Sequence, residues 1–245
     1  MKDIRVSIIT VCYNSESTIT RTIDSVLNQS YKNIEYIIVD GKSTDSTLAI
    51  IAKYKDKFGD RLKVISEHDN GIYDAMNKGI AIASGALIGI LNSDDYYEKD
   101  AIEAAVNAAG DCNMKVVYGL MRTIKDGLED RVYMLSHNFL DNRMICHPAS
   151  FVTKDIYDTI GVFNSKYKSV GDYDFMLRVY QSKKATFVPV YKVFTNFAED
   201  GMSSSLEGYL ENFKYMYDQG KVSSLAYIAV RLYEPIKRFF VKKLF

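Results

Sequence analysis

Two adjacent carboxylates, Asp94 and Asp95, follow the apolar run 86–91 after Asn92 and Ser93. A short run rich in Ile and Leu, bounded by turn formers, predicts a buried strand of a mainly parallel sheet. Ligands of open α/β sheets bind beyond the carboxyl ends of the strands, where these two acids would lie. Oxygen ligands without neighbouring Cys or His suit Mg²⁺ or Mn²⁺, and such a metal usually holds substrate phosphates. The alternative is a strand end with two solvated acids, one of which caps the next helix.

Polar loops also follow the three preceding predicted strands. Those strands are Ile4–Val11, Ile34–Val39 and Leu62–Ser66, and their loops contain residues 13–14, 40–45 and 67–71. Helices with one apolar face separate the strands, and the first helix would have Ser15 or Ser17 as its N-cap. This alternation predicts an α/β fold with right-handed crossovers and the loops gathered at one sheet edge. Carboxylates recurring there suit a nucleotide, because they accept hydrogen bonds from a base or ribose while a metal bridges the phosphates.

The composition is that of a globular protein with a sizeable core: 245 residues, 47% hydrophobic and 25% charged. A formal net charge of zero gives no electrostatic support for general nucleic-acid binding. Cys12, Cys112 and Cys146 fit neither a disulfide framework nor a zinc site, so we expect free thiols in a reducing compartment. The chain runs from Met1 directly into a strand and has no apolar stretch of bilayer length. We therefore expect neither a signal peptide nor a transmembrane helix.

Four segments in series resemble the family 2 glycosyltransferases: Val6–Asn14, Ile37–Thr47, Asp69–Gly79 and Leu91–Asp95. A single motif of this kind is weak, whereas several in the right order are strong, and the match extends to about residue 200. The resemblance implies a GT-A fold, with a Rossmann-like, mainly parallel sheet and helices on both faces. It also implies a nucleotide-sugar donor, commonly UDP-linked, a divalent metal (Mn²⁺ or Mg²⁺) and inversion at the anomeric carbon.

The resemblance also assigns donor-binding roles to eight residues: Thr10, Tyr13, Asn14, Asp40, Asp69, Asn77, Asn92 and Asp95. Asp40 would pair with the base, and Tyr13 would lie against it. Asp94 matches the metal-binding acid. Asn92 stands where the family usually has Asp, so an acceptor oxygen is kept, a charge is lost, and Asp94 remains as the main charged ligand.

The second half is predicted to be more antiparallel. Lys115–Thr123 and Arg131–Leu135 read as a strand pair, and Ala149–Val152 as a further short strand. In the resembling family such elements form the acceptor side, where His147 is a candidate for binding the acceptor or a phosphate. The alternative is a structural histidine beside Pro148. His68 and His137 are assigned to ordinary loop positions, and Cys146 to packing.

A catalytic acid is expected at the start of a later helix. Inverting transfer is a single displacement in which the acceptor hydroxyl loses its proton, and a nearby carboxylate can take it. The resembling family places this base in a Glu-Asp pair that opens a helix; Asp172 matches the Asp, and Gly171 replaces the Glu. Alternatively, Asp172 caps the helix Tyr173–Gln181. The two roles are compatible, because a capping position would orient the base.

The last segment changes composition, so we expect a glycosyltransferase domain over residues 1–205 and a helical extension over 206–245. Two helices are predicted there, Glu207–Gln219 and Ser224–Phe245, and Pro235 should kink the second. The second helix has an apolar face and a basic face, which is typical of a helix lying in a membrane interface. The alternative is a core-packing or dimer helix with a basic outer face.

These observations predict a cytoplasmic enzyme, peripheral at the inner face of the cell membrane. It would transfer one sugar from a UDP-sugar to a glycan or lipid-linked acceptor in surface polysaccharide biosynthesis. The chain has no tryptophan, so the Gln-x-x-Arg-Trp signature of processive synthases is missing. A sugar nucleotidyltransferase is an alternative, although Val11–Asn14 has no glycine-rich phosphate loop. Asn92 and Gly171 favour a second alternative, a degenerate nucleotide-sugar-binding or scaffold protein. The identity of the sugar and acceptor depends on pocket shape.

Overall fold

The computed structural model describes residues 4–198 and 205–233. Its strands are β1 (Val6–Cys12), β2 (Ile34–Asp40), β3 (Leu62–Ser66), β4 (Leu87–Ile90), β5 (Tyr96–Tyr97), β6 (Lys115–Lys125), β7 (Leu128–Tyr133), β8 (Ser150–Thr153) and β9 (Thr186–Ala198). Its helices are α1 (Ile19–Leu27), α2 (Thr47–Ala52), α3 (Lys55–Phe58), α4 (Ile72–Ile82), α5 (Ala101–Ala109), α6 (Lys154–Ile160), α7 (Gly171–Ser182) and α8 (Leu206–Asp218). Residues 224–233 are also helical.

The first four strands form the parallel half of one sheet. They lie in the order β3-β2-β1-β4, and each neighbouring pair is parallel. Every residue of β1, β2 and β4 is buried, because helices cover both faces of the sheet and leave no solvated side. One core cluster packs α1 and α5 on one face, and a second packs α4, α6 and α7 on the other. The predicted α/β architecture is confirmed.

The second half of the sheet is mostly antiparallel, as predicted. β8 runs antiparallel between β4 and β6, and β6 pairs antiparallel with β7. The turn between β6 and β7 is made by Asp126 and Gly127, which both have positive φ. It places β7 at 128–133, earlier than the predicted 131–135. β9 runs parallel to β6 and pairs antiparallel with the short β5.

The buried side chain of Glu35 links β2 to β1, to β3 and to the segment before β4. Its side chain is fully buried in β2 and accepts hydrogen bonds from Ser7 of β1, Lys63 of β3, and Ser84 and Gly85 ahead of β4. Burial alone would raise the pKa of this carboxyl, but these hydrogen bonds outweigh it and lower the pKa to about 2. The ionised carboxylate therefore stabilises the parallel half of the sheet.

Two predicted helix caps are wrong. α1 begins at Ile19 after Thr18, so neither Ser15 nor Ser17 is its N-cap; the Ser15 hydroxyl instead lies 2.8 Å from that of Ser93. α7 begins at Gly171 after Val170, which places Asp172 inside the first turn rather than at the cap. Ser15 and Asp172 were expected to cap these helices from local sequence pattern. In the structure each contacts a residue far away in the sequence, Ser93 and Tyr73 respectively.

The C-terminal part begins with α8, close to the predicted Glu207–Gln219. The following helix is described over residues 224–233, where Leu225, Ile228, Leu232 and Tyr233 are exposed. Pro235 and the basic residues after it lie outside the described residues, and the division of the chain after residue 205 stays a prediction. Within the described ranges, no helix combines the length and apolar character needed to cross a bilayer.

Candidate active site

One large cavity lies at the carboxyl edge of the parallel strands, with a volume of about 1500 Å³. The loops that follow β1, β2, β3 and β4 all contribute to its wall, so the predicted gathering of these loops is confirmed. The opposite wall comes from the 142–148 segment, the start of α7 and one face of α8. The cavity therefore joins the parallel half of the fold to the more antiparallel half.

Tyr13 and Asn14 line the cavity after β1. Tyr13 is 61% exposed, so the flat face of its ring is open to a ligand. Asn14 has a positive φ of 49°, a backbone conformation that Asn tolerates better than most residues. Its side-chain oxygen accepts a hydrogen bond from the Thr44 amide at 2.9 Å. This bond fixes the loops after β1 and β2 against each other.

Thr10 and Asp40 lie below the cavity wall and are fully buried. The Thr10 hydroxyl accepts a hydrogen bond from Tyr36 at 3.0 Å. The Asp40 carboxylate accepts from the Ser66 hydroxyl at 2.7 Å and from the Ser43 amide. Burial and the neighbouring Asp40 raise the pKa of the Cys12 thiol to about 12, so this thiol stays protonated. In this arrangement Thr10 and Asp40 support the loops that form the cavity wall.

Asp69 and Asn77 have different surroundings. Asp69 lines the cavity, and its carboxylate accepts a hydrogen bond from Gly71 at the start of α4. Asn77 does not line the cavity: its amide donates to the Phe163 carbonyl at 2.8 Å and accepts from the Phe163 N–H at 3.0 Å. Both ends of the Asn77 amide are thus engaged in holding α4 to the segment before α7, an arrangement that favours a structural role.

Helix α1 positions the loop that follows β4. Arg21 donates to the Asp94 carbonyl at 2.8 Å, and its guanidinium lies over the Tyr96 ring. Thr22 donates to the carbonyls of Ser93 and Asp95. The conformation of the acidic loop is therefore set by side chains of a helix about 70 residues earlier in the chain.

The two adjacent acids face different surroundings. Asn92 and Asp94 line the cavity, whereas Asp95 is fully buried and accepts a hydrogen bond from the Ala198 N–H at the end of β9. Burial, reinforced by the charge of Asp94, raises the pKa of Asp95 well above its ordinary range. Asp95 thus connects the loop after β4 to the end of β9 through a hydrogen bond, and Asp94 is the acid of this loop that lines the cavity.

Asn92 and Asp94 offer the kind of oxygen ligands that would suit a divalent cation. Within residues 4–198 and 205–233, no three His, Cys, Asp or Glu side chains form a metal-binding cluster. Asn92 Oδ1, however, is a buried oxygen to which the described residues offer no hydrogen bond, and it lies on the same loop as Asp94. Carboxylate and amide oxygens are the ligands that Mg²⁺ and Mn²⁺ prefer.

Asp172 also lines the cavity, at the first turn of α7. Its Oδ1 accepts hydrogen bonds from the Tyr73 hydroxyl at 3.0 Å and from the Tyr173 N–H at 2.9 Å. The Tyr73 ring packs on Gly171, where a Cβ would approach it to 2.8 Å. A glutamate at position 171 would collide with this ring. The departure from the Glu-Asp pair is therefore matched by Tyr73, which occupies that space and contacts the remaining acid.

The three histidines occupy distinct places. His147 lines the cavity but is almost fully buried, with its ring edge against Phe163; burial lowers its pKa, opposed by the charge of Asp172. His68, assigned to an ordinary loop, also lines the cavity. His137 lies elsewhere, stacked on Phe187 and hydrogen-bonded to Tyr118. Burial therefore favours the neutral form of the His147 imidazole, against the charge of Asp172.

Several cavity residues were missed by the sequence argument. Tyr73 lies inside a segment that carried the resemblance, but its contact with Asp172, 99 residues later, has no signal in the sequence. Three basic side chains also line the cavity: Lys42, Arg143 and Lys168. Helix α8 adds Tyr209, Phe213 and Met216.

The sequence profile described as Glycosyl transferase family 2 matches residues 7–185 of this chain. A PGL/p-HBAD biosynthesis glycosyltransferase from Mycobacterium tuberculosis is 31% identical over 208 residues, covering 80% of this chain and 77% of that protein. A chondroitin synthase from Escherichia coli is 30% identical over 210 residues, covering 82% of this chain but only 30% of the synthase. The similarity thus includes the described cavity loops and most of the fold.

Solved structures show the same fold. S. aureus TarS, residues 1–349 in complex with UDP-GlcNAc, superposes with a TM-score of 0.72 at 21% identity, covering 92% of this chain and 69% of that chain. The mannosyltransferase PcManGT from Pyrobaculum calidifontis, in complex with GDP-Man and Mn²⁺, gives a TM-score of 0.68 at 17% identity, covering 90% of this chain and 65% of that chain. At these identities the likeness establishes the fold alone.

Proposed function

Because this chain belongs to glycosyl transferase family 2, we propose that it transfers a single sugar from a nucleotide-sugar, with inversion, to an acceptor hydroxyl. The observation that carries this proposal is the shared cavity of Asp94 and Asp172. One acid lies on the loop after β4, where a diphosphate and metal would bind. The other lies at the start of α7, where an acceptor hydroxyl would be deprotonated. A binding or scaffold function requires only the first of these acids.

The donor would bind along the loops that follow β1 to β4. Tyr13 offers an open ring for stacking against a base. Asp69 offers a carboxylate oxygen, and Asn14 a side-chain NH₂ group, for hydrogen bonds to the nucleoside or sugar. Uridine diphosphate is the proposed carrier, as in the donor bound to TarS. Lys42, Arg143 and Lys168 would offset the negative charge of its phosphates. When Mn²⁺ or Mg²⁺ is bound by Asp94, with Asn92 beside it, it would stabilise the charge of the departing diphosphate.

The reaction would be a single displacement. Asp172 accepts the proton of the acceptor hydroxyl as that oxygen attacks the anomeric carbon. The new carbon–oxygen bond forms as the bond from the anomeric carbon to the diphosphate oxygen breaks, and the nucleoside diphosphate leaves with that electron pair. Tyr73 and the Tyr173 N–H hold Oδ1 of Asp172. No hydrogen bond from the described residues reaches Oδ2, so this oxygen is the proposed proton acceptor.

The acceptor would carry an apolar portion. The wall opposite the donor loops contains Met144, Phe213 and Met216, side chains that suit a hydrocarbon or aromatic group better than a bare sugar. The relative named for PGL/p-HBAD biosynthesis supports a glycolipid or phenolic acceptor. The exposed apolar residues of the 224–233 helix support a place at the cytoplasmic face of the cell membrane, where such an acceptor would be met. A role in surface glycan synthesis follows from these proposals.

The test is release of UDP from UDP-glucose, UDP-galactose, UDP-GlcNAc, UDP-GalNAc and UDP-glucuronate, with Mn²⁺ or with EDTA. At least one donor should be hydrolysed slowly, with water as the acceptor, and only with metal present. A sugar nucleotidyltransferase would instead consume a sugar phosphate and a nucleoside triphosphate and release pyrophosphate. Binding of these donors without turnover in the presence of glycolipid acceptors would favour the degenerate protein and overturn the enzyme proposal.

A further inference from the structure

Glu211 of helix α8 binds the chain just ahead of α7. Its Oε1 accepts a hydrogen bond from the Lys168 N–H at 3.0 Å. Its Oε2 accepts from the N–H groups of Lys168, Ser169 and Val170 at 3.1, 2.6 and 3.1 Å. One carboxylate thus satisfies three consecutive backbone donors that lie more than 40 residues away in sequence.

These backbone donors lie at and just before the N-cap of α7, where a helix requires hydrogen-bond acceptors from outside itself. The first N–H groups of a helix have no intrahelical acceptor, and they favour a nearby negative charge. Val170 is the N-cap of α7, and its side chain offers no acceptor for the first turn. Glu211 therefore binds the N–H of this N-cap residue and of the two residues before it, and it places a negative charge at the start of α7. Within α7, Asp172 itself accepts from the Tyr173 N–H. Asp172 is two residues beyond Val170, so its backbone is fixed by the same contact.

A second, independent contact seats α8 at the same place. The Tyr215 ring lies 5.6 Å from that of Tyr167 and 5.6 Å from that of Tyr173, and Tyr215 is only 3% exposed. Tyr167 precedes the Glu211-bound amides, and Tyr173 follows Asp172 directly. The acid is thus bracketed on both sides by residues that pack on α8. The Tyr173 hydroxyl also donates a hydrogen bond to the Leu140 carbonyl.

We propose that α8 is part of the catalytic apparatus and that Glu211 is a positioning residue, which holds residues 168–170 so that Asp172 meets the acceptor oxygen. Glu211 does not itself line the cavity, so it acts through Asp172 and not on the substrate. This inference rests on the proposed function of Asp172 as the base. It gives the region after residue 205 a role in catalysis that is separate from membrane contact.

Glu211→Gln tests the proposal with little change in size. The neutral amide is a weaker acceptor, and its NH₂ group faces backbone donors if it turns. Small displacements of a reacting group cost up to about a hundredfold, so we expect the rate of UDP release to fall roughly ten- to a hundredfold. The number of UDP sites, titrated by calorimetry with Mn²⁺, should stay native. Expressing the rate per UDP site keeps the comparison on folded molecules. Glu207→Gln, an exposed acid one turn earlier on α8, is the matched control and should keep the native rate.

A double variant separates positioning from general destabilisation. If Glu211 acts through Asp172, Asp172→Asn combined with Glu211→Gln should be no slower than Asp172→Asn alone. Effects that multiply would overturn the proposal, as would a rate per UDP site for Glu211→Gln within twofold of native. If Asp172→Asn itself keeps the native rate, the base assignment fails. If instead Asp172→Asn is slow and Glu211→Gln keeps the native rate, only the positioning role of Glu211 fails.

Discussion

The Tyr73 hydroxyl donates a 3.0 Å hydrogen bond to Oδ1 of Asp172, which joins helix α4 on the donor side to helix α7 on the acceptor side. Burial, together with the negative charge of Asp172, raises the pKa of Tyr73, so its hydroxyl stays protonated and remains a donor. Because Gly171 has no side chain, the Tyr73 ring can pack directly on the backbone of α7. The orientation of Asp172 thus depends on a residue of the opposite half of the site.

Tyr73→Phe should therefore lower the transfer rate without blocking donor binding. The ring packing on Gly171 is kept, and only the hydrogen bond to Asp172 is lost. A hydrogen bond to a charged group contributes about 1.5–3 kcal/mol, so we expect a roughly ten- to 150-fold lower rate of UDP release. Calorimetry with UDP and Mn²⁺ should give native affinity. A native rate would mean that the bond does not orient the acid during the reaction.

Asp172→Asn keeps size but removes the proton acceptor, and loss of a general base costs roughly 10²–10⁴-fold in rate. Sugar transfer should slow by at least about a hundredfold, with UDP and metal bound normally. Asp158→Asn, an exposed acid of α6, is the suitable control. Asp174→Asn is less suitable, because Asp174 is buried and pairs with Arg178 at 3.0 Å. Collapse of UDP binding in Asp172→Asn would make this residue a binding or folding residue instead.

Asp94→Ala should abolish the effect of Mn²⁺ on donor binding while the fold survives, because Asp94 is the acid of this loop that lines the cavity. Calorimetric titration with UDP, with and without Mn²⁺, measures the coupling between metal and nucleotide. In the native chain the metal should tighten binding, and in the variant it should not. Asp60→Ala, an exposed acid near β3, should behave as native. Equal coupling in Asp94→Ala and the native chain would remove Asp94 as the metal ligand.

Glu35→Gln should destabilise the fold near neutral pH and flatten its response to acid. The pKa of Glu35 is about 2 in the folded chain, against an ordinary value of 4.5, so the unfolded state binds the proton first as pH falls. The stabilisation is present above pH 4.5 and is lost as pH falls from 4.5 to about 2. Urea unfolding at pH 7 should show a loss of about 1.5–3 kcal/mol. A variant whose unfolding free energy keeps the native slope below pH 4.5 would contradict this role.

The helix after residue 223 should bind anionic membranes. Leu225, Ile228 and Leu232 are exposed, and an apolar face beside basic residues favours the interface of an anionic bilayer. Full-length chain should sediment with phosphatidylglycerol vesicles at low salt and be released as salt rises. A chain ending at Ser223 should stay in the supernatant yet still bind UDP. Failure of the full-length chain to sediment would make this helix a packing or dimer element.

Much of the fold could be read from local pattern. The β-branched runs gave β1 to β4 within one or two residues, because strands covered on both faces, such as β1, β2 and β4, are apolar at most positions. The parallel order placed the loops after these strands at one edge. Helix ends were less predictable: α1 begins after Thr18 and α7 after Val170, while Ser15 and Asp172 contact the distant residues Ser93 and Tyr73.

The sequence by itself determined the α/β class, the resemblance to a sugar-transferring family, and the loops after β1 to β4 that line one wall of the cavity. Only the tertiary structure decided which acid of each segment faces it: Asp94 lines the wall, whereas Asp95 and Asp40 are buried beneath it. The same is true of Glu211, which binds backbone amides of residues 168–170 more than 40 residues away, and of Tyr73, which binds Asp172 across 99 residues. The direction and burial of a side chain depend on packing between segments that are distant in the sequence. The spacing of residues in the sequence, by contrast, reports only on neighbours within one helix or strand.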